Sequence, residues 1–558
     1  RILAGEVPND SVTADVLKYR NLLLQSTSNE ISTLLTLLDG GSVDPTPGGD
    51  PVVNPNVLPT GRNMYSINVE ATPTPVSWST GVMLAEETLD HYRKAHDGEW
   101  PEKVSYTFWA GEFIASNGAT LAQVLWMLGV EPVRDSQGRV VDLQLVPSER
   151  LGRPRIDVMV QVSGQLRDIA GSRLKLVTEA VKLASESTED RYINYVKAGS
   201  ECQLSQLISA GIDKDKAERL SISRVFGPVN SGYSTGMISY TANSGCWEDR
   251  SELSQGYISN MGAIYGDDET WGNFEPEALK AALNNTAVIV QPRQSNTWGP
   301  VSLDHVYEFS GALSLAVKEV TGREPDAVMA DYRNPRIARV QDTKEAIGVE
   351  SNATVYNPVF IAERMKGDAT TAHTFAEIFR NIYGWTVMRP SALDDNVYDR
   401  LYDIYVADNH SLGLKEWFDS INPAAYQEMT ATMLEAARKG YWKPDMERLR
   451  DIAQKHAAMT EAHGPSGTEF VDGNSALRDY TASLLNPDEA ARFTIALAQP
   501  INDLGVEDVK GRDNRSETGN IVSIRNNGLW IIFIAVISIG LAVGLFVILR
   551  YTRSRKNC

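Results

Sequence analysis

A histidine lies among carboxylates in the segment SLDHVYEFSGALSLAV, residues 302–317. His305 stands beside Asp304, Tyr307 and Glu308, where a loop-like stretch meets a helical pattern. An imidazole with neighbouring carboxylates can hold a borderline divalent metal ion or carry a proton. A structural histidine is the alternative, and the residue types alone do not exclude it.

A second candidate segment is PTGRNMYSINVE, residues 59–70, which follows a stretch rich in glycine, proline and aspartate. Turn formers of this kind favour a loop. The loop presents Arg62 and Asn63 and leads directly to Tyr65 and Glu70. The alternative is that PTGRN caps a helix and its side chains satisfy backbone carbonyls.

Residues 224–266 combine many glycines and tyrosines with Tyr233 and Trp247. Such a composition suits an open, flat-walled surface for a planar aromatic ligand, and a mobile glycine-rich loop is the alternative. The string GYSTG at 232–236 matches the GxSxG pattern of hydrolase nucleophiles, which needs a strand before it and a helix after it. The flanking residues indicate neither, so we interpret the match as chance.

Several function classes are excluded or disfavoured. The sequence contains no GxxxxGK[ST] loop, no HExxH and no His/Cys cluster with zinc spacing. Cys202, Cys246 and Cys558 lie far apart, which indicates neither a disulfide framework nor a thiolate metal site. With 53 Lys and Arg against 72 Asp and Glu, the net charge of −19 argues against nucleic acid as a partner.

The elements that must position these residues follow an α/β pattern. Apolar, β-branched segments predict strands, and helical patterns lie between and after them, which favours a parallel sheet. The predicted strands are 104–110, 156–164, 286–292 and 326–332, and the first predicted helices are 1–40, 118–130 and 172–186.

From about residue 368 onward the pattern changes to long amphipathic helices. The uncharged run 529–549 is long enough to cross a bilayer as a helix, and cationic residues follow it, which predicts a membrane anchor with its tail in the cytoplasm. We therefore divide the chain into the end of a helical region with a linker (1–58), an α/β region (59–367), a helical domain (368–501), a juxtamembrane linker (502–526), a transmembrane helix (527–550) and a basic tail (551–558).

Six segments carry a resemblance to a known family. In chain order they are LPTGRNMYS, WPEKVSYTFWAGEFIASNGATLAQVLWMLGVEPVRDSQGRV, LGRPRIDVMVQVSGQLRD, RVFGP, SGCWEDRSEL and NPAAYQEMTATMLEAARKGYW. In this order and spacing they resemble the C-terminal half of the large subunit of cobaltochelatase and magnesium chelatase. The resemblance implies a protein that binds haem or another tetrapyrrole and handles a divalent metal ion, Fe or Co, at the centre of the ring.

The resemblance also implies roles for the candidate residues. The planar guanidinium of Arg62 suits a bidentate clamp on a macrocycle carboxylate. The resemblance implies that His305 and Glu308 act as metal acceptor or proton relay, with His305 as the metal ligand. It implies that Glu112 and Glu70 are acid/base groups. The residues implied as further contacts to the ring are Asn63, Tyr65, Tyr233 and Trp247.

Two departures from the family pattern point to one branch of it. Ala119 stands where relatives typically carry an acid, while Glu112 keeps an acid further upstream. The predicted anchor is the second departure. With both departures, the sequence resembles the membrane-anchored, HmuS-like branch encoded with haem-uptake systems. In that branch iron is removed from haem and the porphyrin ring stays intact. That branch implies a single-pass protein of the cytoplasmic membrane with its main part in the periplasm, working with haem-uptake proteins or a reductant.

Two alternatives stay open. The first is a cobaltochelatase-type subunit that inserts Co(II) into a corrin ring together with ATPase subunits. The second belongs to another class and is a carrier that binds haem or porphyrin without changing it.

Overall fold

The apolar segments of the sequence form strands, as their composition predicts. The computed structural model describes residues 10–48, 57–65, 67–188, 191–229, 232–295, 299–334 and 337–499. The strands in these ranges are β1 (Pro45–Pro47), β2 (Asn63–Tyr65), β3 (Lys103–Phe108), β4 (Val130–Arg134), β5 (Val140–Leu145), β6 (Asp157–Val162), β7 (Val225–Gly227), β8 (Ala263–Ile264), β9 (Thr286–Arg293), β10 (Asp326–Asp331) and β11 (Arg339–Asp342).

Helices make up most of the remaining structure. They are α1 (Asp10–Leu38), α2 (Pro75–Ala95), α3 (Ala110–Ser116), α4 (Ala119–Met127), α5 (Ser148–Leu151), α6 (Gly164–Ser185), α7 (Tyr195–Ser209), α8 (Lys214–Leu220), α9 (Met237–Ala242), α10 (Arg250–Met261), α11 (Pro276–Leu283), α12 (Asp304–Val306), α13 (Ala312–Thr321), α14 (Thr343–Ala353), α15 (Pro358–Arg364), α16 (Ala369–Met388), α17 (Val397–Leu401), α18 (Leu414–Ile421), α19 (Pro423–Arg438), α20 (Met446–His463), α21 (Glu469–Asp472), α22 (Ser475–Leu484) and α23 (Pro487–Leu497). Two π-helical segments, Tyr307–Gly311 and Tyr402–Val406, continue α12 and α17.

Seven strands form one mixed sheet in the order β11-β10-β9-β3-β6-β7-β8. The five inner strands run parallel, and the edge strands β8 and β11 run antiparallel to their neighbours. The chain passes from β3 to β6 and β7 on one side and later places β9 and β10 on the other side of β3. The strand order therefore reverses between β3 and β9, the position where ligands of such sheets bind beyond the carboxyl ends of the strands.

The side chains of the inner strands alternate between two apolar cores, because successive residues of a strand point to opposite faces. Val104 and Val158 pack with α2, α4 and α6 on one face. Met159 and Ile289 pack on the other face, in a core that continues without a break into the C-terminal helices as far as Leu477. The two regions that the sequence divides at residue 368 thus share one core.

A buried ion-pair network joins the amino ends of the strands, away from the reversal of strand order. The Arg224 side chain is fully buried, and its Nε donates to Asp157 Oδ1 at 2.9 Å. Lys103 Nζ lies 3.3 Å from Asp157 Oδ2. This network connects β3, β6 and the start of β7.

The α/β prediction is confirmed, since all four predicted strands are present and the inner strands are parallel. The predicted helix 118–130 is shorter, because α4 ends at Met127 and Val130 already begins β4. No helix in the described ranges is long and apolar enough to cross a membrane. The predicted transmembrane helix, 527–550, lies outside the described residues and stays a prediction.

Replacing Arg224 by Met should destabilise the protein by ~3–5 kcal/mol, because it leaves the buried Asp157 carboxylate without its guanidinium partner. The midpoint of urea unfolding measures this change. The control is Arg492→Met, which removes an exposed ion pair to Glu461 and should leave the midpoint nearly unchanged. Equal midpoints for the two variants would show that the Arg224 network does not hold the strands together.

Candidate functional site

A cleft of about 360 Å³ opens beyond the carboxyl ends of β3, β6 and β9, at the reversal of strand order. Its walls come from the first residues after these strands, namely Trp109, Ser163 and Gln294, and from the start of the helix that contains His305. This volume lies within the range of small-molecule sites, roughly 300–1,000 Å³. The topology of the sheet therefore creates the cleft.

Aromatic side chains form part of the wall. Trp109 and Phe309 meet edge to face with ring centroids 5.8 Å apart, and both line the cleft. Tyr233 lines it as well and is 59% exposed. Gly164 N donates to Tyr233 O, and a side chain at Gly164 would lie only 2.3 Å from Gly232 O. A glycine is therefore needed for this loop to approach the start of α6 and carry Tyr233 over the cleft.

The amino ends of two helices face the cleft. Ser163 caps α6, and Gln165 in its first turn also lines the cleft. The second helix runs from Asp304 to Thr321 through the π-helical segment. Helix amino ends carry a partial positive charge and unpaired N–H groups, so they favour anionic groups. Among the described residues the cleft wall contains no Lys or Arg, and its side-chain donors include the amides of Gln165 and Gln294, the hydroxyls of Ser163, Tyr233 and Ser234, and the imidazole of His305.

His305 and Glu308 form a hydrogen-bonded pair at the wall of the cleft. His305 Nδ1 lies 2.6 Å from Glu308 Oε2, and the imidazole is about half exposed while Glu308 is fully buried. The hydrogen bond that His305 Nδ1 donates to the Glu308 carboxylate is the main cause that raises the pKa of His305 above its ordinary value, and burial opposes it. The imidazole therefore holds its proton to higher pH than a free histidine does.

The other oxygen of the Glu308 carboxylate is held by the loop before α9. Gly236 N donates to Glu308 Oε1 at 3.0 Å, and Thr235 Oγ1 donates to the same atom at 3.1 Å. These residues belong to the GYSTG string. Contrary to the prediction from the flanking residues, a helix, α9, begins at Met237 directly after the string, whereas β7 ends at Gly227 and does not lead directly into it. In this fold the string binds a carboxylate from a distant helix.

The π-helical segment Tyr307–Gly311 places the pair. A π-helix has a wider ring of backbone hydrogen bonds than an α-helix, and short π segments often occur at functional sites. Its Phe309 carbonyl accepts a hydrogen bond from Gln161 Nε2 on β6 at 3.2 Å. Gln161 Nε2 also donates to Thr107 on β3, and Gln161 Oε1 accepts from Tyr257. The sheet thus fixes the segment that carries Glu308.

Helix α16 holds the loop that leads into this segment. Asn381 Nδ2 donates to Val301 O at 3.0 Å, and Trp385 Nε1 donates to Pro300 O at 2.6 Å. The helical region of the chain therefore contributes to the position of His305, although it supplies no side chain to the cleft wall among the described residues.

Glu112 lies next to the cleft but points into the core. It follows Gly111, a wall residue, and is fully buried. Ser116 Oγ donates to Glu112 Oε1 at 2.6 Å. Burial raises the pKa of Glu112 to about 7, and its carboxyl does not belong to the described cleft wall.

The loop with Arg62 lies against α1 instead of the cleft. Thr60 N donates to Ser26 Oγ at 3.0 Å, and Gly61 approaches the α1 backbone so closely that a side chain there would lie 2.4 Å from Glu30 N. Arg62 is half-buried with its Nε unpartnered, Asn63 is exposed, and Tyr65 ends β2. Neither Arg62 nor Asn63 belongs to the described cleft wall.

Glu70 and Trp247 lie apart from the cleft as well. Glu70 pairs with Arg173 and accepts from Ser172 Oγ at 2.8 Å, which ties its turn to α6. Trp247 is buried, donates from Nε1 to Tyr240 O at 2.7 Å, and has Lys439 Nζ 3.6 Å from its ring centre. Of the candidate residues, the structure therefore brings His305, Glu308 and Tyr233 together and leaves Glu112 beside them.

The cleft wall also contains residues that were not predicted from the sequence, among them Trp109, Gln165, Gln294 and Phe309. A signal existed for two of them, because Trp109 lies near the carboxyl end of the predicted strand 104–110 and Gln294 follows the predicted strand 286–292 closely, where parallel sheets place ligand contacts. In the described part of the chain, no group of three or more His, Cys, Asp or Glu side chains is arranged to hold a metal ion.

Comparison with known proteins identifies the family. The CobN/magnesium chelatase family model matches residues 5–449. The chain belongs to the CobN/magnesium chelatase family. The catalytic subunit of cobaltochelatase from Mycobacterium tuberculosis superimposes with a TM-score of 0.71 at 29% identity, covering 80% of this chain and 37% of that one.

Individual relatives include enzymes named for two metals. The aerobic cobaltochelatase subunit CobN of Sinorhizobium sp is 29% identical over 423 residues, 75% of this chain and 32% of the relative. The chloroplastic magnesium-chelatase subunit ChlH of Oryza sativa subsp. indica is 27% identical over 435 residues, 78% of this chain and 30% of the relative. The chain spans about a third of the length of the curated relatives it matches.

Replacing Glu308 by Gln should lower the pKa of His305, because it removes the carboxylate that favours the imidazolium. NMR titration of the histidine ring protons measures this pKa. His456 serves as an internal reference, since burial lowers its pKa to about 4 and it lies in the core beside Thr430. An unchanged His305 pKa would contradict the assigned hydrogen bond.

Replacing Glu112 by Gln should change how stability depends on pH. The folded protein keeps Glu112 protonated up to about pH 7, whereas the unfolded chain ionises it near 4.5. The contribution of Glu112 to the free energy of unfolding is fully present below pH 4.5 and falls by ~3 kcal/mol as the pH rises through 7. Urea unfolding at pH 4.5 and pH 8 should show the variant gaining about this amount relative to the wild type, and parallel curves would contradict the burial of the acid.

Proposed function

We propose that the cleft binds one face of a tetrapyrrole and that the His305–Glu308 pair exchanges protons for the divalent metal ion at the centre of the ring. The single observation that carries this proposal is the pair itself, a half-exposed imidazole whose Nδ1 is bonded to a fully buried carboxylate at the wall of the cleft. Membership of the CobN/magnesium chelatase family supports the class of ligand.

The aromatic and polar walls suggest an orientation for the ring. Trp109, Phe309 and Tyr233 offer apolar and π contacts to a flat macrocycle. The start of α6, with Ser163 and Gln165, offers N–H and amide donors to a ring carboxylate.

The charge state of His305 favours removal of the metal, and we propose haem as the substrate. A metalloporphyrin ring takes up two protons at its pyrrole nitrogens when it releases one Fe²⁺ ion. The imidazolium donates a first proton from Nε2, since Nδ1 is occupied by Glu308, and after reprotonation from solvent it donates the second proton by the same route. The imidazole that is neutral after this second transfer is then able to accept the released ion at Nε2. Ferric haem needs one electron first, which a reductant supplies.

Membrane attachment is a separate proposal. The apolar run 529–549 with the cationic tail after it supports a single anchor in the cytoplasmic membrane, with residues before 525 in the periplasm. Protease added to intact spheroplasts should then cleave this part of the chain. Protection of residues 1–525 in spheroplasts, with cleavage after lysis, would contradict this orientation.

Metal removal is tested with the full chain, anaerobic haem and dithionite, by following the fluorescence of metal-free porphyrin. Wild-type protein should release iron, with a rate that falls as the pH rises through the His305 pKa. His305→Ala should slow release by ~10²-fold or more, as expected for loss of a general acid. In Glu308→Gln the fall in rate should move to lower pH. His410→Ala, at an exposed position outside the cleft wall, is the matched control.

The same assay separates the alternatives. Haem that is bound and kept unchanged at every pH would favour a carrier. Incorporation of Co²⁺ into a corrin ring that depends on added ATPase subunits would favour cobalt insertion, the reaction for which the Sinorhizobium and Mycobacterium relatives are named. Either result would overturn the proposed removal of iron.

A further inference from the structure

Glu350 is a buried carboxylate that lies outside the cleft and bonds the loop that leads to His305. It belongs to α14, which packs against β10 and β11. Its side chain is 5% exposed, and Oε1 accepts a hydrogen bond from Ser302 N at 3.1 Å. Ser302 stands three residues before His305, and Leu303 between them lines the cleft. Because a buried carboxylate persists only where donors surround it, this contact fixes the backbone of the loop as well as the acid.

The second oxygen of Glu350 joins the same carboxylate to the end of β9. Arg293 Nη2 donates to Glu350 Oε2 at 3.1 Å, and the Arg293 side chain is 4% exposed. Arg293 is the last residue of β9, and Gln294, which follows it, lines the cleft. One buried ion pair therefore connects two parts of the cleft wall, the end of β9 with Gln294 and the loop with Leu303.

The loop 299–303 fits closely against the Glu350 carboxylate. A side chain at Gly299 would collide with Glu350 Oε2, so the backbone passes directly beside the acid. Gly299 N donates to Ser302 Oγ at 2.9 Å, and Leu303 N donates to Gly299 O at 3.1 Å, which closes the loop into a turn. Helix α16 bonds two carbonyls of this turn, and Glu350 accepts from one of its N–H groups. The turn is thus held by two different helices.

We propose that Glu350 is a positioning residue for His305, because its carboxylate fixes the loop 299–303 relative to the end of β9. Glu350 is not part of the described cleft wall, so it acts through the loop. In enzymes a misplacement of ~1 Å at the reacting groups costs up to ~10²-fold in rate, so a contact behind the cleft wall affects the reaction. The effect of Glu350 on the rate rests on the proposed function, whereas its effect on the loop does not.

Hydrogen–deuterium exchange of the full chain tests the position of the loop without any ligand. Glu350→Met keeps the length of the side chain and removes both acceptor oxygens, so Ser302 N loses its partner. The Ser302 amide should then exchange ~10-fold or more faster than in the wild type. Mass spectrometry of peptides that contain residues 299–306 measures this rate.

The matched control replaces another buried acid that is paired with an arginine. Glu435 is fully buried and accepts from Arg438 Nε at 2.7 Å, and among its contacts none is to the loop 299–303. Glu435→Met should leave the exchange of the loop unchanged. Exchange that is unchanged in Glu350→Met, or equally fast in both variants, would overturn the proposal.

A glycine variant separates this contact from the loss of a buried charge. Gly299→Ala places a methyl group against the Glu350 carboxylate and should also speed the exchange of the Ser302 amide. Its control is Gly348→Ala on α14 itself, since a Cβ there meets nothing within 4 Å beyond its own helix. Equal exchange of the loop in the two glycine variants would contradict the proposed contact.

The rate of iron release tests the consequence for the reaction. With anaerobic haem and dithionite, Glu350→Met should lower kcat by ~10-fold and leave KM within ~2-fold, because Trp109 and Tyr233 still contact the ring. Glu435→Met should keep both values. If the wild type releases iron, an unchanged kcat in Glu350→Met, or an equal loss in Glu435→Met, would overturn the positioning role. A wild type that releases no iron would overturn the proposed function instead, and hydrogen exchange alone then decides the role of Glu350.

Discussion

The hydrogen bond between His305 and the buried Glu308 carboxylate is the interaction on which the candidate site depends. A carboxylate without partners in the core would cost several kcal/mol, so it persists only where donors surround it. Here the donors are His305, Gly236 and Thr235, which come from two separate parts of the chain. The energetic need to satisfy one carboxylate thus joins the GYSTG loop to the helix and holds the imidazole at the cleft.

The rest of the fold serves to keep this pair at the end of the sheet. Reversal of the strand order between β3 and β9 opens the cleft, and Gln161 on β6 satisfies a carbonyl of the π-helical segment. From the other side α16 bonds the loop before the segment through Asn381 and Trp385. Sheet and helical region share one apolar core, and both form hydrogen bonds with the segment that carries His305 or with the loop before it.

Much of this architecture could be predicted from the sequence. The inner strands are apolar on both faces and rich in β-branched residues, and this composition predicts strands that are buried in a parallel sheet. His305 and Glu308 could be found because they are close in sequence. The contacts of Glu308 could not be predicted, because Gly236 is 72 residues away and the GYSTG string to which it belongs matches a motif of another enzyme class.

Other features were also beyond a single sequence. A π-helical segment has no residue signature, so Phe309 and its bond to Gln161 appear only in the fold. Arg62 and Trp247 have the right side chains for a macrocycle, but tertiary packing places the first beside α1 and the second in the core. Residue type predicts what chemistry is available, whereas the topology decides which of these residues meet.

The central claim is that a tetrapyrrole lies in the cleft with its metal centre facing His305. A structure of the full chain determined with bound haem tests it most directly. The account predicts the ring against Trp109 and Phe309, with the imidazole Nε2 directed at its centre. A ring bound elsewhere, such as at the Arg62 loop, or no binding of haem at all, would contradict the account.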